Sequence, residues 1–255
     1  MQRYNLIVDE GNTFAKVAVI DKKGAEVACE WVRADFDNSL LDEIVAEYGV
    51  ADAAIVSSVR GNAAVYVKML QSAGIERVIE FNKGLQLPIE IDYNRNEIGS
   101  DRVAAAVGAV VGYGSDCEIL IVDIGSAITI DHIVNGTFVG GNISLGVNMR
   151  FKALANYTNA LPDLTSEGVE GVADAEFPTL GTSTSEAMKL GVLQGVFYEV
   201  KGYIDHYFKK NNDLRIIFIG GGAEYFVNRI KNAIFAGRNL IFLGLNEILE
   251  RNAKF

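Results

Sequence analysis

Leu6-Ile7-Val8-Asp9-Glu10-Gly11-Asn12-Thr13 brings a short apolar run to an end in two acids, a glycine and two small hydrogen-bonding residues. The run is too short for a helix and branched enough for a buried strand, and Gly11 permits a tight turn. The segment predicts a strand that empties into a turn suited to phosphate. Asp9 projects from the strand end, where it is placed to hold a hydrated metal ion. Thr13 and the backbone N–H groups around Gly11 and Asn12 are placed to donate to phosphate oxygens, as turns and nests do in nucleotide sites.

The same pattern returns about half a chain later in Ile121-Val122-Asp123-Ile124-Gly125-Ser126-Ala127-Ile128-Thr129. Strand-like residues follow both copies, Phe14 to Ile20 and Ile128 to Ile133. Asp and Gly are favoured turn residues, so one copy alone reads as an ordinary hairpin. Two copies, one in each half, predict a duplicated phosphate clamp.

With 255 residues, 49% of them hydrophobic, the chain is long enough for one large domain or two modest ones with a sizeable core. Its formal net charge of −10 argues against nonspecific nucleic-acid binding, which needs a basic stripe to displace counterions. Cys29 and Cys117 are the only cysteines and form no Cys-x-x-Cys, so structural zinc and a disulfide framework are not expected. His132 and His206 are the only histidines, and no Gly-x-Ser-x-Gly elbow exists for a nucleophilic serine. Walker A is excluded because no Gly-Lys dipeptide occurs. Met1 to Asn5 leads straight into the first strand, which predicts no secretory leader, and no apolar run reaches the length of a membrane span. These readings predict a soluble cytoplasmic protein.

After the first hairpin, Lys22-Lys23-Gly24 predicts a turn and Ala25 to Arg33 a third strand, so three antiparallel strands open the chain. Asn38-Ser39 is placed to cap a helix from Leu40 to Tyr48, stopped by Gly49. A buried strand over Ala51 to Val59 ends in Ser57-Ser58, which read as turn residues or as lining for a cleft. A helix over Ala63 to Ser72 and a strand over Arg77 to Phe81 follow. Gly99-Ser100-Asp101-Arg102 then introduces a helix of small residues, Val103 to Gly112, suited to close packing. Two readings stand for its start. Ser100 and Asp101 are good cap and first-turn residues, and they also present a carboxylate and a guanidinium together toward a pocket.

Gly114-Ser115-Asp116 is the predicted boundary, giving halves at 1–114 and 115–255. In the second half the strands run on to Ser144, and Gly140-Gly141 suggests backbone in close contact with something. Val147 to Asn159 reads as helical, and the polar stretch from Pro162 to Leu180 gives no clear pattern. Ser183 and Glu186 have capping-box spacing at the start of a long helix reaching Lys209. Arg215 to Ile219 is a buried strand running into Gly220-Gly221-Gly222 and a helix, which suits an adenosine or phosphate contact. A strand over Asn239 to Leu243 and a polar helix from Asn246 close the chain.

Two halves that each open with an Asp-x-Gly hairpin and a β-meander and continue with alternating helices and strands resemble the actin-like, RNase H-like α/β fold. That resemblance implies two domains with a nucleotide cleft between them. Within that fold, the ordered set Asp9 to Thr13, Gly99-Ser100-Asp101-Arg102, Asp123 to Thr129, Gly140-Gly141-Asn142-Ile143 and Ser183-Thr184 with Ala187-Met188 and Gly191 is similar to the type III pantothenate kinases. The resemblance implies ATP-dependent phosphorylation of pantothenate, the first step of coenzyme A biosynthesis. It also implies a homodimer, with Mg²⁺ and a monovalent cation, K⁺ or NH₄⁺, as cofactors. Asp9, Glu10, Gly11, Asn12, Thr13, Phe14, Ala15 and Lys16 would form the first ATP phosphate loop, and Ser126 would touch ATP. Asp101 would be the general base. Tyr93, Gly99, Ser100, Arg102 and Thr184 would surround pantothenate. Asp123 would bind the monovalent cation and Asp9 the Mg²⁺.

Two departures from the family pattern stand out. Ser126 replaces the usual threonine but keeps the hydroxyl, and Ser144-Leu145-Gly146 lacks a proline often found before that glycine. The competing readings are a kinase of this fold for another small hydroxylated acceptor, and a regulator that binds nucleotide without catalysis. Asp9, Asp101 and Asp123 together favour the kinase.

Overall fold

The computed structural model describes residues 4–21, 26–166, 180–211, 213–231, 233–235 and 239–253. The turn expected at Lys22-Lys23-Gly24 and most of the 162–180 stretch lie outside them. The elements are β1 (Tyr4–Glu10), β2 (Ala15–Asp21), β3 (Glu26–Arg33), α1 (Asn38–Tyr48), β4 (Ala53–Ser58), α2 (Ala63–Ser72), β5 (Val78–Glu80), β6 (Glu90–Ile91) and α3 (Ser100–Tyr113). They continue with β7 (Glu118–Ile124), β8 (Ala127–Val134), β9 (Thr137–Leu145), α4 (Val147–Tyr157), α5 (Thr184–Phe208), β10 (Arg215–Ile219), α6 (Ala223–Val227), β11 (Ala233–Phe235) and α7 (Asn239–Asn252).

The chain divides into two units. One comprises Met1–Ser115, Gly136–Val139 and Arg238–Phe255; the other comprises Asp116–Asn135 and Gly140–Gly237. The first unit holds a sheet of order β3-β2-β1-β4-β5. β1 runs antiparallel to β2 and parallel to β4. All seven residues of β1 are buried, as expected for a central strand covered on both faces. Leu6, Val8, Val17, Val19, Leu40, Ile44 and Leu70 form its core with Trp31 and Tyr66.

The second unit repeats this plan. Its strands follow the order β11-β10-β7-β8-β9, with β7 antiparallel to β8 and parallel to β10. The start of β9 groups with the first unit, where Glu90 and Ile91 of β6 pair with Thr137 and Phe138. Leu120, Val122, Phe151, Leu193, Val196, Val200, Ile216 and Phe218 build the second core. The internal repeat seen in the sequence is thus a repeat of topology: a first strand flanked by its antiparallel hairpin partner and a parallel neighbour, twice.

Two local expectations change and one holds. Asp37, not Asn38 or Ser39, caps α1, its carboxylate accepting the Leu40 N–H at 3.0 Å. At α5 the capping box forms: Ser183 Oγ accepts the Glu186 N–H at 3.3 Å, and the Glu186 carboxylate accepts the backbone N–H groups of Thr182, at 2.8 Å, and of Ser183. The strand expected over Asn239 to Leu243 is the first turn and a half of α7, whose Leu240, Ile241, Leu245, Ile248 and Leu249 are buried at helical spacing.

α7 groups with the first unit rather than with the half that precedes it in sequence. The cause is its contact with α3, made at two glycines. A Cβ at Gly108 would stand 1.9 Å from the Leu240 carbonyl oxygen, and one at Gly244 would stand 1.8 Å from that of Ala104. The two backbones touch, and this crossing sets the position of the helix that begins with Ser100 and Asp101.

Candidate active site

Asp9 is the next-to-last residue of β1 and is 2% exposed. The strand register places it beside Lys16 of β2 and Ser57 of β4. Lys16 Nζ lies 3.6 Å from its carboxylate, and Ser57 hydrogen-bonds it. Burial pushes the Asp9 carboxyl up; Lys16 opposes this, the charge of Asp101 adds to it, and the Ser57 hydrogen bond works against it, with the net direction upward. Ser57 Oγ is also 2.8 Å from Ser100 Oγ. A polar chain therefore runs from Asp9 through Ser57 to Ser100, the first residue of α3. Ser57 is a site residue rather than a plain turn residue, and only the pairing of β4 with β1 reveals it.

A carboxyl raised by burial favours folding with its proton on. The stabilisation is full below the ordinary carboxylate value and is lost as pH rises through the raised one. At neutral pH, where the unfolded carboxyl is ionised, burial of Asp9 works against the fold. Asp9→Asn is therefore expected to raise the melting temperature at pH 7, by about 2–4 °C for each kcal/mol relieved in a chain of this size. The gain should vanish in acid. Scanning calorimetry at pH 7 and pH 4 checks this, and a lower melting temperature at pH 7 contradicts it.

Glu10 sits in the phosphate loop by sequence, but the structure turns it inward with 0% exposure. Its carboxylate accepts hydrogen bonds from Ser58, Asn62 and Tyr66 and pairs with Arg60 at 2.8 Å. Burial pushes this carboxyl up, yet the Ser58, Tyr66 and Asn62 hydrogen bonds and the Arg60 charge outweigh it and leave it lowered. Glu10 supports the loop from beneath, while Asn12, Thr13 and Phe14 are exposed and Gly11 is partly so. Gly11 does not take a positive φ. Its N–H donates to the Phe14 carbonyl at 3.0 Å, closing the turn, so it is not the phosphate donor expected from the sequence. What glycine supplies at position 11 is the absence of a side chain above the loop. Ala15 is fully buried at the start of β2.

At the start of α3 the close approach is at Gly99. A Cβ there would stand 2.4 Å from Asp101 Oδ1, and the same oxygen accepts the Arg102 N–H at 2.9 Å. The Asp101 carboxylate folds back over Gly99, whose glycine is required by that approach. Since the obstructed atom is the end of a side chain, Gly99→Ala should move the carboxylate rather than unfold the helix. The expected result is a loss of kcat of about tenfold or more at nearly unchanged melting temperature. Steady-state kinetics with a thermal melt tests it, and unchanged kcat rejects it. Arg102 is 5% exposed, its guanidinium carbon 5.5 Å from the ring centres of both Tyr93 and Phe138. Tyr93 meets Phe138 edge-on and remains 37% exposed, so this aromatic-backed arginine has a surface-facing partner.

In the second unit, Asp123 occupies the position in β7 that Asp9 occupies in β1, paired with Thr129 and with Ile219. The loop after it is shorter: Gly125-Ser126 alone joins β7 to β8, against four residues between β1 and β2. Gly125 N–H closes it onto the Ala127 carbonyl at 3.0 Å, leaving Ser126 exposed. Gly146 packs against this turn, its Cβ position 2.3 Å from the Ser126 carbonyl oxygen and its N–H donating to that oxygen at 3.1 Å. Backbone contact therefore fixes the loop at Ser144-Leu145-Gly146 although no proline stands there. Gly220, at φ +91°, brings the triple glycine onto the same strand end: its Cβ position is 2.3 Å from Asp123 Oδ1, and Gly222 N–H donates to the Ile124 carbonyl at 2.9 Å. Of the pair Gly140-Gly141, Gly140 makes no close contact among the described residues: beyond its chain neighbours none of their atoms lies within 4 Å of its Cβ position. Thr184 is exposed in the first turn of α5, directly after the Ser183 cap.

A cavity of about 520 Å³ lies at the other end of β7, among Asp116, Glu118, Asn135, Asn211, Asp213 and Arg215. It is five residues along the strand from Asp123, and Glu118 there is already held by His132 at 2.6 Å and Asn211 at 2.7 Å. Asp123 and its turn are at the opposite strand end.

The chain as a whole is similar to known proteins. The sequence model of the type III pantothenate kinases matches residues 5–206. A type III pantothenate kinase from Azobacteroides pseudotrichonymphae is 36% identical over 259 residues, covering 98% of each chain. Among solved structures, a conserved Campylobacter jejuni protein assigned to the Baf family of transcriptional activators is similar over 97% of this chain and 98% of its own, with TM-score 0.61 at 21% identity. MreB 5 of Spiroplasma citri, bound to AMPPNP, is similar over 97% of this chain and 96% of its own, with TM-score 0.51 at 14% identity. The structural likenesses carry the actin-like fold alone. With the family model spanning most of the chain and the relative matching end to end, this chain belongs to the type III pantothenate kinase family.

Proposed function

We infer that this protein transfers the γ-phosphoryl group of ATP to the hydroxyl of pantothenate, forming 4′-phosphopantothenate in coenzyme A biosynthesis. The observation that carries the reading is the juxtaposition of a buried Asp9, on a phosphate-loop strand, with Asp101 at the start of α3. Phosphoryl transfer asks a protein mainly to position the acceptor and to meet charge on the transferring group. Asp101 takes the proton of the pantothenate hydroxyl, and Ser100 with Tyr93, Gly99, Arg102 and Thr184 surrounds that substrate. Arg102 orients its carboxylate. Asn12, Thr13 and Lys16 meet the ATP phosphates of one side, and Ser126 contacts ATP from the second hairpin.

Asp9 fits Mg²⁺: its carboxylate is buried, its charge is only partly met by Lys16, and Asp101 adds negative charge beside it. Mg²⁺ is commonly bound through one or two carboxylates plus substrate phosphates, where it neutralises developing charge. Asp123 offers an oxygen ligand for the monovalent cation at a strand end cleared by Gly220. Among the described residues no helix is long and apolar enough to cross a membrane, in keeping with a cytoplasmic enzyme. We place it there as a homodimer.

ADP release measured across a panel of acceptor alcohols, with and without K⁺, tests the substrate and cation assignments. Pantothenate should be the fastest acceptor and omission of K⁺ should stop turnover. Equal or faster turnover of another alcohol would displace pantothenate.

A further inference from the structure

The Ile98 carbonyl, one residue ahead of Gly99, is capped by a side chain from a separate segment. Lys83, between β5 and β6, donates from Nζ to the Ile98 oxygen. Its own turn is braced on both sides of it: Asn82 accepts the Gly84 N–H at 2.9 Å and donates to the Glu80 carbonyl at 3.0 Å. Ile98 is 2% exposed, so the peptide that Lys83 holds is anchored in the first unit on one side and leads directly into Gly99, Ser100 and Asp101 on the other.

We infer that Lys83 is a positioning residue for phosphoryl transfer, fixing the Ile98–Gly99 peptide that aims the Asp101 carboxylate and placing a cation beside that carboxylate. This rests on the reading of Asp101 as the base. Three charged groups bear on Lys83 and Asp101 from neighbouring segments. Asp9 of β1 repels Asp101, and Lys16 of β2 is tied up with Asp9. Arg95 opposes the charge of Lys83, but its guanidinium is directed to the Leu85 carbonyl at 3.1 Å. Arg102, on α3 itself, is held over Tyr93 and Phe138. Burial and Arg95 lower the Lys83 ammonium while Asp101 raises it, which places Lys83 and Asp101 within each other's field. Lys83 thus supplies the positive charge that offsets Asp9 at Asp101, and it does so without a direct bond to the substrate-facing oxygens.

The function follows from the geometry of Gly99. The Asp101 carboxylate rests over a residue with no side chain, and only the backbone of 98–99 defines where that platform lies. Releasing the Ile98 carbonyl lets the platform shift. A misplacement on the order of 1 Å costs about a hundredfold in rate.

Lys83→Met tests this in the full-length protein. Expected are a kcat lower by about ten- to a hundredfold and a KM for ATP within about twofold of wild type. Lys83→Arg, which keeps the charge and the donor, should recover most of the rate. Hydrogen exchange of the peptide covering residues 98–103 should be faster in Lys83→Met and normal in Lys83→Arg. An unchanged kcat in Lys83→Met, a rate that Lys83→Arg does not recover, or unchanged exchange in that peptide overturns the inference. The exchange measurement needs no turnover, so a wild-type protein that phosphorylates no pantothenate would reject the functional reading while still deciding whether Lys83 anchors the turn.

Discussion

Replacing Asp101 with asparagine is expected to lower kcat by about 10²–10⁴-fold, the span typical for loss of a general base. The substitution is nearly isosteric, and the asparagine oxygen can still accept the Arg102 N–H that Asp101 Oδ1 accepts at 2.9 Å. The turn at Gly99 should therefore persist. Two small effects on stability oppose each other: a negative charge is lost from the first turn of α3, worth about 0.3–1 kcal/mol, and repulsion of Asp9 is relieved. The melting temperature should stay close to that of the wild type, and KM for ATP should change little, because Asp101 acts on the acceptor. Turnover at the wild-type rate would remove Asp101 from the mechanism.

The largest stability effect is expected at the crossing of α3 and α7. Gly244→Ala places a methyl group 1.8 Å from the Ala104 carbonyl oxygen and 2.8 Å from the Gly108 nitrogen, both backbone atoms that cannot swing aside. Alanine gains about 1 kcal/mol of helix propensity over glycine. Overpacking of a tight core costs about 1–3 kcal/mol and more where no side chain can yield. A net loss of roughly 3 kcal/mol, or about 6–12 °C in melting temperature, follows for a chain of this length. Gly108→Ala, 1.9 Å from the Leu240 carbonyl oxygen, should cost a similar amount. The double substitution should cost less than the sum, since the first methyl group already separates the helices. Denaturant unfolding of the four proteins measures this; strict additivity would mean that the two glycines do not share one contact. Because α3 carries Asp101 at its start, both single variants should also lose activity.

The parts of the fold that repeat were legible in the sequence. Asp9 and Asp123 each end an apolar run and precede a glycine, and both take the same place in the same topology. The small-residue character of 103–112 predicted close packing, and Gly108 confirms it, although its partner at Gly244 was hidden. Leu240 to Leu243 is a continuous apolar run that fits a buried strand or a buried helix equally, and only its placement against α3 decides for the helix. Glycines were the other blind spot. Gly11 and Gly140 looked demanding because of their neighbours in sequence, whereas Gly99, Gly146 and Gly220 are, with Gly108 and Gly244, among those that other atoms approach within 2.5 Å. Such approaches come from segments distant in the chain, or from a side chain folding back, and leave no periodic trace. Lys83 escaped notice for the same reason, since a loop crossing brings it to Ile98, and the two readings left open for Ser57 are separated only by the strand pairing that brings it to Asp9.

Incubation of the purified protein with ATP, pantothenate, Mg²⁺ and K⁺, followed by mass spectrometry of the products, bears on the central claim most directly. The account requires 4′-phosphopantothenate and ADP in equal amounts, formed only when both substrates are present. Folded protein that yields no phosphopantothenate under these conditions, or that releases ADP at the same rate without pantothenate, would contradict it.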